Sequence, residues 1–140
     1  MTFYHHDLSV TVEDHWLVAA GAESFVPSST AYIVDATPGS SLISINDIKP
    51  VRRLPDVPLF KKTGDEHPDG ELSADARVIR ILRAFVDGAA LPPVIVRASS
   101  EGQPFELFDG AHRLYLSLAI RYTHVPAVLT QIPALGLNAP

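Results

Sequence analysis

The sequence contains no cysteine, and this absence excludes three kinds of chemistry. Without cysteine the chain forms no disulfide bond, builds no thiolate metal site and offers no thiol nucleophile. Any nucleophile or general base in this protein must therefore be an oxygen or nitrogen group.

The chain also lacks a positive net charge and a long apolar run. Its formal net charge is -5, so it has no general attraction for polyanions, which disfavours non-specific binding to nucleic acid but leaves a local basic patch open. No segment reaches the length of a membrane-spanning helix, and the N-terminus MTFYHHDLSV does not resemble a signal peptide. We therefore expect a cytoplasmic protein without membrane association, in which the adjacent His5 and His6 are solvated and have no role.

Length and hydrophobic pattern predict one α+β domain, since 140 residues with 46% hydrophobic side chains suffice for a single core. Residues 8–12 alternate between apolar and polar side chains and predict a strand, whereas DHWLVAAGAESFV fits either a strand or a short helix. AYIVDA and SLISI predict two strands, joined by a turn or loop, at one edge of a sheet. LPPVIVRA and FELF predict a β-hairpin, and VPAVLTQI predicts a last strand of this mixed sheet. We expect residues 1–35 to form an N-terminal extension, with extra strands, packed on a domain of residues 36–140.

The segment ADARVIRILRAFVD predicts a helix with one apolar face. Ser73 can cap its start, and Gly88 can end it in a left-handed conformation. Its arginines, Arg77, Arg80 and Arg83, lie on the opposite face, which we expect to be solvated.

Residues 49–70 predict a long surface loop, because four prolines and two glycines interrupt any regular element. A loop of this length is either a lid over a substrate or a flexible insertion, and the sequence leaves both open. Its acidic residues and histidine match no defined calcium loop, so we predict no metal site there; they are Asp65, Glu66, His67 and Asp69.

The segment FELFDGAHRLYLSLAI places a polar turn between an apolar strand at 105–108 and an apolar helix from about residue 111 to 122. Free amides at the helix start, a glycine that permits close approach and the Arg113 guanidinium together predict an anion site. A cation in the first turn opposes the helix dipole unless an anion offsets it, which favours phosphate. Asp109 either caps the helix or binds a metal or a substrate hydroxyl, while Ser117 and Arg121 are expected to be ordinary surface positions.

LPPVIVR and ELFDGAHRLYLSLAIRYTHVPAVL, within residues 91–129, resemble the ParB/sulfiredoxin superfamily. The resemblance extends more weakly to SLISINDIKP and to the helix near residues 74–90, and it does not include the first 35 residues. It implies a small ParB/sulfiredoxin-like α+β fold in which the Gly-His-Arg turn holds nucleotide phosphates. The phosphate ligands implied are Gly110, Ala111, His112 and Arg113.

Members of the superfamily carry out different reactions, so the resemblance specifies the site better than the chemistry. Sulfiredoxins carry a catalytic cysteine where this chain has Ala111, which excludes reduction of a sulfinic acid. Partition proteins continue into a DNA-binding domain, which we do not expect here. DGAHR is similar to the Asp-Gly-His-His-Arg signature of a free-serine kinase, but IKPVRRLPD lacks the glutamate that follows the kinase's I-x-P segment.

Three functions follow as hypotheses. The first is an enzyme that binds a nucleoside triphosphate, ATP or CTP, with Mg²⁺ and transfers or hydrolyses its terminal phosphate, with or without a small-molecule substrate. Arg52 and Arg53 would clamp the phosphates, and Asp47, Asp56 or Asp109 would act as base or metal ligand. Asp47 is nearest the position at which the superfamily members that this chain resembles carry an acidic functional residue. The second is a non-catalytic module that senses a nucleotide or an anion and binds a protein partner or a second copy of itself, and the third is a ParB-like nuclease.

Overall fold

The structure, a computed structural model, describes residues 1–51, 59–60 and 74–131. It is an α+β domain with a mixed sheet, as predicted. The elements in chain order are β1 (Thr2–His5), β2 (Leu8–Thr11), α1 (Asp14–Ala20), β3 (Ser41–Ser44), a 3₁₀ turn (Ile45–Asp47), α2 (Ala74–Asp87), β4 (Val94–Ala98), β5 (Phe105–Asp109), α3 (Ala111–Ala119) and β6 (His124–Leu129). In the described part of the chain, no helix is long and apolar enough to cross a membrane.

Four strands form the main sheet in the order β3-β6-β4-β5, while β1 and β2 form a separate antiparallel hairpin. The predicted β4–β5 hairpin is confirmed, and β6 lies parallel to β4 and antiparallel to β3. β5 therefore lies at one edge of the sheet and delivers the chain into α3 at its carboxyl end.

The hydrophobic core lies between the sheet and the helices. The two inner strands contribute buried valines to it, and α2 and α3 contribute buried leucines and aromatic rings. Gly88 ends α2 with a φ of 70°, as predicted, because a residue without Cβ adopts the left-handed conformation at little cost. The predicted cap at Ser73 lies outside the described residues.

Of the two strands predicted at AYIVDA and SLISI, the second is confirmed as β3, whereas AYIVDA does not form a strand. β3 pairs with β6, and Val34 forms an isolated parallel bridge with Leu91. Pairing with β6 places Ile43 opposite the fully buried Val125, so β3 has its partner in a strand distant in sequence.

DHWLVAA, for which the sequence left a strand and a short helix open, forms a helix that ends at Gly21 in a left-handed conformation. Other helix details differ from the sequence prediction. α3 ends at Ala119 rather than near residue 122, and Arg121 adopts a φ of 76° just beyond it. On α2, Arg80 and Arg83 are exposed, but Arg83 Nη2 also donates a hydrogen bond of 2.6 Å to the carbonyl of Ala19 on α1.

His5 is not solvated as predicted, because its ring is 1% exposed and hydrogen-bonded on both nitrogens. Nδ1 lies 2.7 Å from the hydroxyl of Tyr115 on α3, and Nε2 lies 3.0 Å from the carbonyl oxygen of Ile45. The Tyr115 hydroxyl also accepts the Val51 N–H at 3.1 Å, so it can donate its own proton to Nδ1. A neutral ring protonated on Nε2 satisfies every bond, and burial, as the largest cause, lowers the pKa of His5.

Candidate anion site at the start of helix α3

The turn between β5 and α3 is built around Gly110. This residue is the N-cap of α3, with φ 110° and ψ 30°, and no side chain caps the helix. The N–H of Leu114 donates to the Gly110 carbonyl at 2.9 Å, which is the first bond of the helical i to i−4 pattern in α3. The amides of Ala111 and Arg113 precede it, so they are directed out of the helix end, where an anion would bind.

Steric contacts require glycine at this position as firmly as the backbone angle does. A Cβ built on Gly110 would lie 2.8 Å from Cγ1 and 3.0 Å from Cβ of Val94, and 3.2 Å from Nη2 of Arg113. The backbone of the turn therefore packs directly on β4 and beneath the guanidinium of Arg113.

The guanidinium of Arg113 is partly buried, but not all of its N–H groups are hydrogen-bonded within the described residues. Nη2 donates a long hydrogen bond of 3.3 Å to the carbonyl of Pro93, while Nε is buried and has no hydrogen-bond partner among the described residues. Within residues 1–51, 59–60 and 74–131, no carboxylate forms an ion pair with this guanidinium. A partly buried cation with an unsatisfied N–H is costly, and a bound anion would remove that cost.

Tyr32 borders the same guanidinium, and the sequence analysis did not identify it. Its side chain is 4% exposed, and its hydroxyl donates a hydrogen bond of 2.7 Å to the carbonyl of Pro92. Its ring stacks on Phe85 of α2, with centroids 5.4 Å apart. Burial raises the pKa of Tyr32 to about 12, and the positive charge of Arg113 partly opposes that shift. Tyr32 is thus a neutral phenol that helps to hold Arg113 against residues 92–93.

The ring of His112 faces an aromatic cluster rather than open solvent. It meets Phe60 edge-on at 5.1 Å, and Phe60 in turn meets Trp16 of α1 at 5.9 Å. Phe60 belongs to the long loop predicted at residues 49–70, so this part of the loop packs against the turn. Most of that loop, for which the sequence leaves a lid and a flexible insertion open, lies outside the described residues.

Asp109 is the last residue of β5, and its side chain is exposed next to Gly110. Because no side chain caps α3, the capping role considered for Asp109 is not adopted.

Asp47 lies at the other end of β5. It sits exposed in the 3₁₀ turn, and the following residue, Ile48, bridges Phe105 at the start of that strand. Phe105 and Asp109 are four positions apart along the strand, which corresponds to about 13 Å. The structure therefore does not bring Asp47 and Asp109 together.

Two clefts border Lys49 and Val51, on the β5 side of the sheet. One, of about 300 Å³, is also lined by Arg97 and Glu106, whose side chains form an ion pair of 2.5 Å. The other, of about 660 Å³, extends toward the β1–β2 turn at Asp7. Neither cleft is lined by residues 110–113, so neither lies at the turn.

Ser117 is not the surface position that the sequence suggested. It is fully buried, and its hydroxyl donates a hydrogen bond of 2.6 Å to the carbonyl of Arg113, one helical turn earlier. This bond satisfies the hydroxyl locally, which allows a serine to occupy the buried side of α3. Arg121 is exposed, as expected.

Several residues that the sequence predicted for the site, or considered as metal ligands, are not described by the structure. Arg52, Arg53, Asp56 and the acidic cluster at residues 65–69 lie outside the described residues. Among the residues that are described, no group of three or more histidine or acidic side chains is arranged to hold a metal ion.

No protein-family model matches this chain, and a search of curated proteins finds no significant match.

Proposed function

We propose that the turn at residues 110–113 binds the phosphates of a nucleoside triphosphate and that the chain is a member of the ParB/sulfiredoxin superfamily. The observation that carries the proposal is the Arg113 guanidinium, whose Nε is buried without a partner above a turn of helix-start amides. A carboxylate partner would have indicated a structural ion pair, and none is present in the described part of the chain.

The energetics favour an anion as the missing partner. A charged hydrogen bond contributes about 1.5 to 3 kcal/mol, and phosphate oxygens match the fork of a guanidinium. The amides at the start of α3 add donors that need no movement of the chain, and Gly110 lets a ligand approach the backbone. Phosphate satisfies all three features at once.

The resemblance extends this proposal from phosphate to ATP or CTP with Mg²⁺. Magnesium binds with one or two carboxylates together with phosphate oxygens and water, so it needs no cluster of protein ligands. The exposed Asp109, adjacent to Gly110, fits that role as a single carboxylate. Because cells hold these nucleotides in the cytoplasm, the proposal includes a cytoplasmic location.

Transfer or hydrolysis of the terminal phosphate is the reaction that we propose for this site. Such reactions depend mainly on positioning and charge neutralisation, which Arg113 and Mg²⁺ would supply. Asp109 is the better candidate for a base, because it adjoins the turn, whereas Asp47 lies beside the opposite end of β5, a strand about 13 Å long.

The alternative is a module that binds the nucleotide without turnover. It is favoured by the distance between Asp47 and the turn, and by the absence of a glutamate from IKPVRRLPD. A nuclease, the third hypothesis, is disfavoured by the net charge of -5.

The test is a thermal-shift titration with ATP, CTP, GTP and ADP, with and without Mg²⁺. A ligand that binds the native state raises its stability by an amount that grows with the ratio of ligand concentration to Kd. We expect a concentration-dependent shift for one nucleotide in the wild type. Arg113→Ala should weaken binding by about 1.5 to 3 kcal/mol while the protein remains folded. Arg80→Ala, which removes an exposed arginine from α2, is the control and should bind as the wild type does.

Release of phosphate, or its appearance on a second substrate, would distinguish the enzyme from the module. Binding that is unchanged in Arg113→Ala would contradict the site, and no shift with any nucleotide would contradict nucleotide binding altogether. A folded Arg113→Lys variant with intermediate affinity would support a role for the guanidinium fork, since lysine retains the charge alone.

A further inference from the structure

The edge strand β3 carries unused backbone hydrogen-bonding groups whose positions follow from its register with β6. Leu42 lies opposite Pro126, which has no N–H, so these two residues cannot exchange a pair of hydrogen bonds. The Ile45 N–H donates to the Thr123 carbonyl at 3.0 Å, so the odd-numbered residues of this segment direct their backbone groups toward β6 and the even-numbered residues do not. The N–H and C=O groups of Ser40, Leu42 and Ser44 therefore point away from the sheet.

None of these outward groups has a partner in the part of the chain that the structure describes. β6 is the only strand beside β3 there, and no other hydrogen bond to Ser40, Leu42 or Ser44 is formed. Proteins usually protect such an edge with a charged residue, a proline or a bulge. The sequence SSLIS at residues 40–44 contains no charge and no proline, and the β3–β6 register is continuous.

The residues whose backbone groups point away from the sheet are arranged symmetrically about Leu42, the central one. Leu42 is 57% exposed, and the residues two positions before and after it are both serines. In antiparallel pairing about a two-fold axis at Leu42, that leucine would face its own copy, and Ser40 would face Ser44 of the second copy. About six backbone hydrogen bonds would form, with two leucine side chains in contact and no like charges opposed.

We propose that β3 pairs with β3 of a second copy of this chain to form a symmetric dimer with one continuous sheet. The segment complements itself, and a two-fold interface uses the same patch on both subunits. The dimer leaves the anion site accessible, because β5 and its turn lie three strand positions away, at about 14 Å. This interface is independent of the function proposed for the turn.

Disulfide cross-linking tests this proposal sharply, because the chain has no cysteine of its own. In Leu42→Cys, the paired residues would have Cα atoms about 5.5 Å apart, a spacing that a disulfide bond spans without strain. Under mild oxidation we expect a disulfide-linked dimer to form at least about tenfold faster than in the controls, because pairing raises the effective thiol concentration. Tyr4→Cys and Val26→Cys are the controls, since both positions are well exposed and lie outside β3.

A second variant measures association without a covalent bond. Leu42→Lys would oppose two like charges at the centre of the interface, so sedimentation equilibrium should show its dimer lost at protein concentrations where the wild type associates. Tyr4→Lys carries the same change elsewhere and should associate as the wild type does. Equal cross-linking rates in the three cysteine variants, or association that persists in Leu42→Lys, would overturn the proposal.

Discussion

Replacement of Gly110 by alanine should destabilise the protein more than a comparable change at any open glycine. The new Cβ would meet Val94 at 2.8 Å and 3.0 Å, closer than such atoms approach in proteins, and the residue would keep a φ of 110°. A non-glycine residue at such a φ costs about 1 to 3 kcal/mol, and overpacking in a filled site costs about as much again. We therefore expect a loss of roughly 2 to 6 kcal/mol in the free energy of unfolding.

Gly21→Ala is the matched control for this prediction. Gly21 also has a positive φ, of 70°, but no atom lies within 4 Å of the position that its Cβ would occupy. This variant should lose only the conformational part, about 1 to 2 kcal/mol. Urea unfolding followed by the fluorescence of Trp16, the only tryptophan, provides the assay for both variants. Equal losses in the two variants would refute the close packing of the turn on β4.

Two further predictions concern hydrogen-bonded side chains that the sequence did not reveal. Tyr32→Phe should weaken nucleotide binding severalfold while lowering stability by only about 1 kcal/mol, because one hydrogen bond is lost and the ring remains; unchanged affinity would show that Arg113 needs no support from the phenol. Burial lowers the pKa of His5, so below about pH 6.5 the unfolded chain binds more protons than the folded chain does. The free energy of unfolding should therefore fall by up to about 1.4 kcal/mol per pH unit as the pH drops below that value. Urea titrations from neutral to acid pH should show a smaller pH dependence in His5→Gln than in the wild type, and identical dependence would contradict this assignment.

Patterns that act over a few residues were predicted well from the sequence. The β4–β5 hairpin, the turn at residues 109–110 and the end of α2 at Gly88 all depend on local features, namely alternation, helical periodicity and a glycine in the left-handed conformation. The α+β class follows from the order of these elements.

Contacts between segments distant in sequence were not predicted. No local signal indicates that β3 pairs with β6, that Tyr32 lies beside Arg113 or that His5 lies beneath α3. Ser117 was assigned to the surface because serine counts as polar in a hydrophobic pattern, whereas its hydroxyl bonds its own helix and so tolerates burial. These positions depend on packing, which a single sequence does not display.

The first 35 residues bear directly on the site, although the resemblance does not cover them. They contribute Tyr32 beside Arg113 and His5 beside Tyr115, so α3 is held from two sides near its first turns. Trp16 of the same segment packs on Phe60, which covers His112. A binding site keeps its affinity when the surrounding residues fix its geometry before the ligand arrives, because less ordering is then needed on binding. The boundary predicted near residue 35 therefore separates two stretches of sequence that share one core and jointly hold the arginine in place.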